Sequence, residues 1–286
     1  MKPPKEAVPN NSKGCRSEYG TLQRVIVCEP KYMEIQEVIN ETQEHYIDEN
    51  INKNIAKNQH EAFITKLEEQ DVEVIRLSAS EQFPEQVFTR DIGFTIGDDI
   101  FISEMGRDIR EGEEEALEKW LQSTNTLYNK LRTNKIEGGD VIIDRDSVFV
   151  GISSRTSMDA VRELSKKLPD HETIPIPFNE KYLHLDCVFN ILSPTVALIF
   201  PEALDDKTVK MLSDRYTLIE VSKEEQFTLG TNVLSIGDKK VFSLPQNTEV
   251  NKQMRAFGFN VIEVDFSEII KSGGSFRCCS MPVERE

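Results

Sequence analysis

No stretch of the 286-residue sequence approaches the roughly 18 uninterrupted apolar residues that a spanning helix needs. Runs of lysine and arginine are missing too. Basic side chains number 34 against 50 acidic ones, a formal net charge of −16, so nothing offsets repulsion from a phosphate backbone. Neither a membrane nor a nucleic-acid partner is expected. Histidine is scarce: His45, His60 and His171 fall in polar segments expected to be exposed, and His184 stands alone. A metal site would want two or three clustered His or Cys ligands at short spacing, so none is expected. The five cysteines, Cys15, Cys28, Cys187, Cys278 and Cys279, fit neither a disulfide framework nor a CxxC redox pair. Residues 1–16 are polar, with several Pro and Asn, and read as an N-terminal extension instead of a secretory signal. Together these absences describe a reduced, cytoplasmic protein in which a conspicuous cysteine is catalytic or buried.

What is present is ordinary globular composition, 38% apolar and 29% charged, and a repeat. Four segments, 91–103, 140–153, 186–200 and 232–245, each open on a polar residue and continue as two apolar runs joined by a turn. Their leading residues, Asp91, Asp140, Asp186 and Asn232, lie 46 to 49 positions apart, the spacing of an array of supersecondary units. The joints (Gly-Asp, Arg-Asp, Ser-Pro, Gly-Asp-Lys) are hairpin signals. Helical patterns follow each pair over Glu113–Gln122, Ser157–Leu168, Asp206–Arg215 and Thr248–Phe257, and a short strand follows three of the four. A fifth unit is split between the termini: strand Leu22–Glu29, helix His60–Gln70, strand Val72–Leu77, and a closing strand from Arg277–Pro282. The expected architecture is an α/β ring, a pseudo-fivefold propeller forming one domain over residues 1–286. The alternative is a two-domain doubly wound protein with inserted hairpins.

In such a ring the residues that open the hairpins meet near the central axis. Carboxylates there are costly unless paired or used, although each alone can simply cap an Asx-turn. In Leu183-His184-Leu185-Asp186, an extended backbone would point His184 and Asp186 to one face. Near the C-terminus, Gly273-Gly274-Ser275-Phe276-Arg277-Cys278-Cys279 joins two glycines to a cation expected to lower a thiol pKa. An extended segment there would turn Cys278 and Cys279 to opposite faces. The acidic stretch Glu34–Asn58 reads as a solvated helix face or a lid over the site.

These residues carry a resemblance. Ser17-Glu18-Tyr19-Gly20, Phe88-Thr89-Arg90-Asp91, Arg110-Glu111-Gly112-Glu113, Glu137-Gly138-Gly139-Asp140, Ser154-Arg155-Thr156, His184-Leu185-Asp186 and Arg277-Cys278-Cys279-Ser280-Met281-Pro282 stand in one order along nearly the whole chain. In that order they resemble the guanidino-group-modifying enzymes: arginine deiminases, dimethylargininases and amidinotransferases. The resemblance implies a pseudo-fivefold α/β propeller with its site on the axis. It makes Cys278 the nucleophile, His184 the general acid and base, and Glu137 the acidic partner beside it. Asp91 and Asp186 would hold a guanidinium, Arg110 and Arg155 the substrate carboxylate, and Glu85 a further polar contact. No metal or organic cofactor is implied, and the partner is a small guanidino molecule.

Asp186 and Arg90 look like deiminase or amidinotransferase residues, where dimethylargininases usually carry Lys and Glu. The compact length is similar to dimethylargininase. The leaving group, the guanidino compound and the number of subunits, a homodimer included, stay open. Besides hydrolysis, amidino transfer to an amine and silent ligand binding fit the same residues.

Overall fold

In the computed structural model, which describes residues 14–131 and 135–286, the repeat becomes five three-stranded sheets. The chain runs from β1 (Leu22–Cys28) through helices α1 (Glu41–Tyr46) and α2 (Lys53–Glu68) to β2 (Glu73–Leu77), parallel to β1. Four units of one plan follow: an antiparallel hairpin, a helix, and a third strand parallel to the hairpin's second. The first is β3 (Gly93–Ile96), β4 (Asp99–Ile102), α3 (Glu115–Ser123) and β5 (Asn129–Lys130). The second is β6 (Val141–Asp144), β7 (Ser147–Ile152), α4 (Met158–Lys167) and β8 (Glu172–Pro177). The third is β9 (Phe189–Ser193), β10 (Val196–Ile199), α5 (Asp206–Ser213) and β11 (Thr217–Glu220), trailed by the short α6 (Lys223–Phe227). The fourth is β12 (Leu234–Gly237), β13 (Lys240–Ser243), α7 (Thr248–Ala256) and β14 (Asn260–Glu263). The last strand, β15 (Met281–Arg285), pairs antiparallel with β1 and completes the fifth sheet. The pseudo-fivefold α/β propeller is thus the fold.

Burial explains why the sequence carries apolar runs where half-exposed strands would alternate. β3, β6 and β12 are buried along their whole length, whereas β2, β8, β11 and β14 are half exposed. Strands covered on both faces need apolar side chains at every position. The hairpins turn through left-handed residues, Gly97 (φ 56°), Arg145 (φ 54°) and the pair Asp238–Lys239 (φ 49° and 58°). Arg145 is held there by a two-point pair with Asp144, Nε–Oδ1 3.0 Å and Nη2–Oδ2 2.9 Å. α4 starts where Ser157 Oγ accepts from the Ala160 N–H at 3.1 Å, and it buries Ala160, Val161 and Leu164.

Several boundaries differ from expectation. β5 is only two residues long, which is why the sequence shows no apolar run there. The closing strand is Met281–Arg285, because 276–279 form a turn. Residues 1–13 of the expected extension lie outside the described residues. Cys15 is already docked, exchanging backbone hydrogen bonds with Gly97 at 2.8 and 2.6 Å. His60 is buried in α2, not exposed, and burial lowers its pKa to about 4. Among the described residues no helix is long and apolar enough to cross a membrane.

Behind the axis, Phe63, Phe242, Phe266 and Phe276 pack ring on ring, with centroids 4.3 Å apart for Phe266–Phe276 and 5.3 Å for Phe63–Phe276. Each buried ring contributes about 1.5–3 kcal/mol from area alone. Phe276 thereby anchors the turn that carries Cys278.

Candidate active site

Five loops converge on the axis, four leading into the first strand of a hairpin and one into β15. They carry Glu85 and Asp91 before β3, Glu137 and Asp140 before β6, His184 and Asp186 before β9, Asn232 before β12, and Cys278 before β15. All these side chains are buried. The Arg90 N–H donates to the Cys278 carbonyl at 2.9 Å, tying the Asp91 loop to the cysteine turn.

The cysteine turn is held by Asn232, whose Oδ1 accepts from the Ser275 and Cys278 N–H groups, both at 3.1 Å. Cys279 N–H closes back on the Ser275 carbonyl at 2.9 Å. The segment is therefore a turn, and the expected strand-like alternation of Cys278 and Cys279 does not occur. Gly274 allows it: a Cβ there would come within 2.4 Å of the Phe88 ring.

His184 and Asp186 do not lie on an extended strand either. Only His184 is extended; Leu185–Cys187 form one 3-10 turn, fixed by the Leu185 N–H donating to Asp140 Oδ1 at 2.8 Å. The two side chains diverge. His184 turns to Glu137, Nε2 to Oε2 at 2.6 Å, while its Nδ1 lies 3.6 Å from Asp91 Oδ1. Gly139 makes room, since a Cβ there would sit 2.7 Å from the imidazole. Glu137 is fixed by the Gly106 N–H at 2.7 Å and flanked by Arg155 at 3.5 Å. Burial by itself would lower the His184 pKa, but Asp91 and Glu137 outweigh it and raise the group to about 10. The ring is an imidazolium at neutral pH, and Glu137 is held below the ordinary carboxylate range by it against the cost of burial.

Asp186 instead pairs with Arg277 and lies 3.6 Å from Cys278 Sγ. Arg277 also donates to Glu18 Oε1 at 3.1 Å, and Arg90 shares that oxygen at 2.7 Å. The cation expected to acidify the thiol is thus neutralised by two carboxylates. Contact with Cys187, burial and the charges of Asp186 and Asp91 together push the Cys278 thiol well above its ordinary value. The resting thiol is protonated.

Arg110 and Arg155 are both drawn in, with different partners. Arg110 donates from Nη1 to Asp91 Oδ2 at 2.7 Å and from Nε and Nη2 to Glu113 at 3.1 and 2.8 Å. Arg155 gives Nη2 to the Ile39 carbonyl at 3.2 Å and lines a cavity of about 350 Å³ beside residues 39–41. Glu85 accepts from Ser272 Oγ at 2.8 and 2.9 Å and from Gln43 Nε2 at 2.9 Å; burial lifts its pKa to about 7. The acidic stretch is therefore more than a solvated face: its charged residues point outward while Gln43 and the Ile39 carbonyl cap the site. A larger cleft of about 600 Å³ beside Phe83 and Trp120 contains none of these groups.

Three potential ligand atoms, from Asp91, Glu137 and His184, lie within 4.8 Å of one another. The Glu137 oxygens already accept from Gly106, His184 and Arg155, so a cation there would have to break those bonds. Spacing alone does not single out Glu18, Gln43, Glu113 and Ser272, because their partners come from remote segments. Glu18 and Glu113 nevertheless stand inside the motifs that carry the family resemblance.

A five-sheet ring with a buried cysteine, histidine and carboxylates on its axis defines a guanidino-group-modifying protein. Residues 29–285 match the family described as N,N dimethylarginine dimethylhydrolase, eukaryotic, and the chain belongs to it. It is 52% identical over 271 residues, 95% of both chains, to the uncharacterized protein YkgA of Bacillus subtilis (strain 168). It is 28% identical over 257 residues to arginine deiminase of Streptococcus sanguinis (strain SK36), covering 73% of this chain and 62% of that one. The chain thus spans under two thirds of the deiminase's length. The fold matches the N-terminal domain of ArgZ, an arginine dihydrolase of cyanobacteria, with a TM-score of 0.85 at 22% identity, covering 92% of this chain and 98% of that domain.

Proposed function

We propose that the protein is a cysteine-dependent amidinohydrolase of the cytoplasm that acts on arginine or an N-methylated arginine, releasing ammonia or an amine and citrulline. One observation carries the reading. Asp91 Oδ1 and His184 Nδ1 face each other in a fully buried site, and neither has a hydrogen-bond partner. Unpaired buried polar atoms are costly, so a pair left open beside a thiol supports a polar ligand there.

A guanidinium suits the Asp91 side of that pair, while the His184 N–H, which can only donate, faces the nitrogen that departs. Asp91 and Asp186 grip its planar N–H edges and leave the central carbon open to Cys278. The arriving cation also supplies what Arg277 does not. At about 4 Å and an effective dielectric of about 20, a unit charge is worth about 4 kcal/mol, or about three pH units on the thiol. The resting thiol gives its proton up to solvent as the cation binds, His184 being already protonated, and the thiolate forms an S–C bond. His184, already protonated, gives its proton to the departing nitrogen as the C–N bond breaks. The neutral imidazole then takes a proton from water, which attacks the thiouronium carbon and frees the cysteine. Arg155, now on the Ile39 carbonyl, holds the substrate's carboxylate once residues 39–43 move aside; Arg110 keeps two N–H groups for the same end.

The test is ureido product from arginine and its methylated forms. Cys278→Ser is expected to remove turnover and Cys279→Ser to keep most of it. Full activity in Cys278→Ser would overturn the mechanism. A new guanidino product on adding glycine would mark amidino transfer, and ligand binding without any adduct on Cys278 would mark a binding protein.

A further inference from the structure

Cys187 has no part in that chemistry, yet it sits against the nucleophile. Its Sγ lies 3.5 Å from Asp186 Oδ1, and Cys278 Sγ lies 3.8 Å from the same oxygen. Both thiols thus share one carboxylate oxygen. The backbone of Cys187 is pinned on the axis, its N–H donating to the His184 carbonyl at 3.1 Å and its carbonyl accepting from Thr231 Oγ1 at 2.6 Å. Cys279, though next in sequence, has Asp91, Glu85 and the Cys28 thiol as its neighbours, and adjacent cysteines bridge only with strain. All five cysteines are unbridged.

A second feature concerns access. Cys187, though not Cys278, lines a void of about 30 Å³ shared with Asn40, Glu41 and Thr42. That volume accepts a molecule on the scale of water and excludes an amino acid.

We propose that Cys187 is a resolving cysteine, so that a hydroperoxide reaching Cys278 ends in a Cys187–Cys278 disulfide. In the first step Cys278 sulfur attacks one peroxide oxygen. The O–O bond breaks, an S–O bond forms, and the other oxygen leaves as water or an alcohol carrying the thiol's proton. Sulfur is oxidised by two electrons and the peroxide is reduced. In the second step Cys187 sulfur attacks the sulfenic sulfur. The S–S bond forms, the S–O bond breaks, and hydroxide leaves as water with the Cys187 proton. A small dithiol reverses the product, whereas further oxidation of Cys278 to sulfinic acid is permanent.

The experiment treats the full chain with hydrogen peroxide, counts free thiols in denaturant and maps peptides by mass. The wild type is expected to drop from five free thiols to three, with one linked peptide pair containing Cys187 and Cys278, and dithiothreitol restores the count. Cys187→Ala and Cys187→Ser are expected to carry sulfinic acid on Cys278 that dithiothreitol leaves in place. A link joining Cys278 to Cys279, a link joining Cys28 to Cys279, or no link in the wild type would each overturn the proposal. So would full thiol recovery in the Cys187 variants. The readout is mass alone, so it stands or falls apart from the hydrolase reading.

Discussion

The protonation of His184 can be tested by replacing Glu137 with Gln, a change that keeps the shape and removes one charge. Glu137 Oε2 lies 2.6 Å from His184 Nε2, and the pair is fully buried. Taking the charge centres as about 4 Å apart at an effective dielectric of about 20, the lost attraction is about 4 kcal/mol, or about three pH units. His184, raised to about 10 in the wild type, should then titrate near 7. With only four histidines, imidazole NMR resolves the shift directly. Stability follows the same sign. A histidine whose folded pKa exceeds the unfolded value of 6.5 contributes stability that is complete below pH 6.5 and lost as pH rises towards 10. The wild-type unfolding free energy from urea titration should therefore fall between pH 7 and pH 10, by on the order of a few kcal/mol, and that of Glu137→Gln should change much less. An imidazole that still titrates near 10 in the variant, or equal pH slopes for the two proteins, would refute the role given to Glu137.

Asn232→Ala strands the Ser275 and Cys278 N–H groups in the interior; at about 1–3 kcal/mol each, the denaturation midpoint should drop and turnover with it, and a variant as stable as wild type would count against Asn232 as the clamp of the cysteine turn. Glu18→Gln leaves Arg90 and Arg277 facing each other across one neutral amide, with an expected loss of about 3–5 kcal/mol in urea titration; a change under about 1 kcal/mol would show that the two guanidinium groups do not depend on it. Gln43→Ala removes the bonds to Glu85 and Ser272, so amide hydrogen exchange across residues 39–46 should quicken while the rest of the chain keeps its protection. Unchanged exchange there would mean that Gln43 does not fasten the cover.

The hairpins were legible because strands buried on both faces leave unbroken apolar runs between turn residues, as in Val141–Asp144 and Leu234–Gly237. Asn129–Lys130 left no such mark, being two polar residues that pair only at the rim. The three residues after His184 do not reveal whether they extend or turn, because Asp140, which accepts from the Leu185 N–H, lies 45 positions earlier. The direction of the Cys278 shift escapes a local reading for a related reason. Arg277 is its chain neighbour, but Glu18, 259 positions from Arg277, shares the cancellation of that charge with Asp186. Residue types at the axis are written locally; their protonation is written by remote segments.

The pairing of β15 with β1 bears on how the protein is made. Arg285 reaches the Gly20 carbonyl across 265 positions, so the first sheet waits, half built, while four others leave the ribosome. The thiol at 278 is translated after every carboxylate and imidazole around it, and the Asn232 that clamps its turn also precedes it. A nascent chain therefore holds the residues of the charged cage before it holds the sulfur they surround.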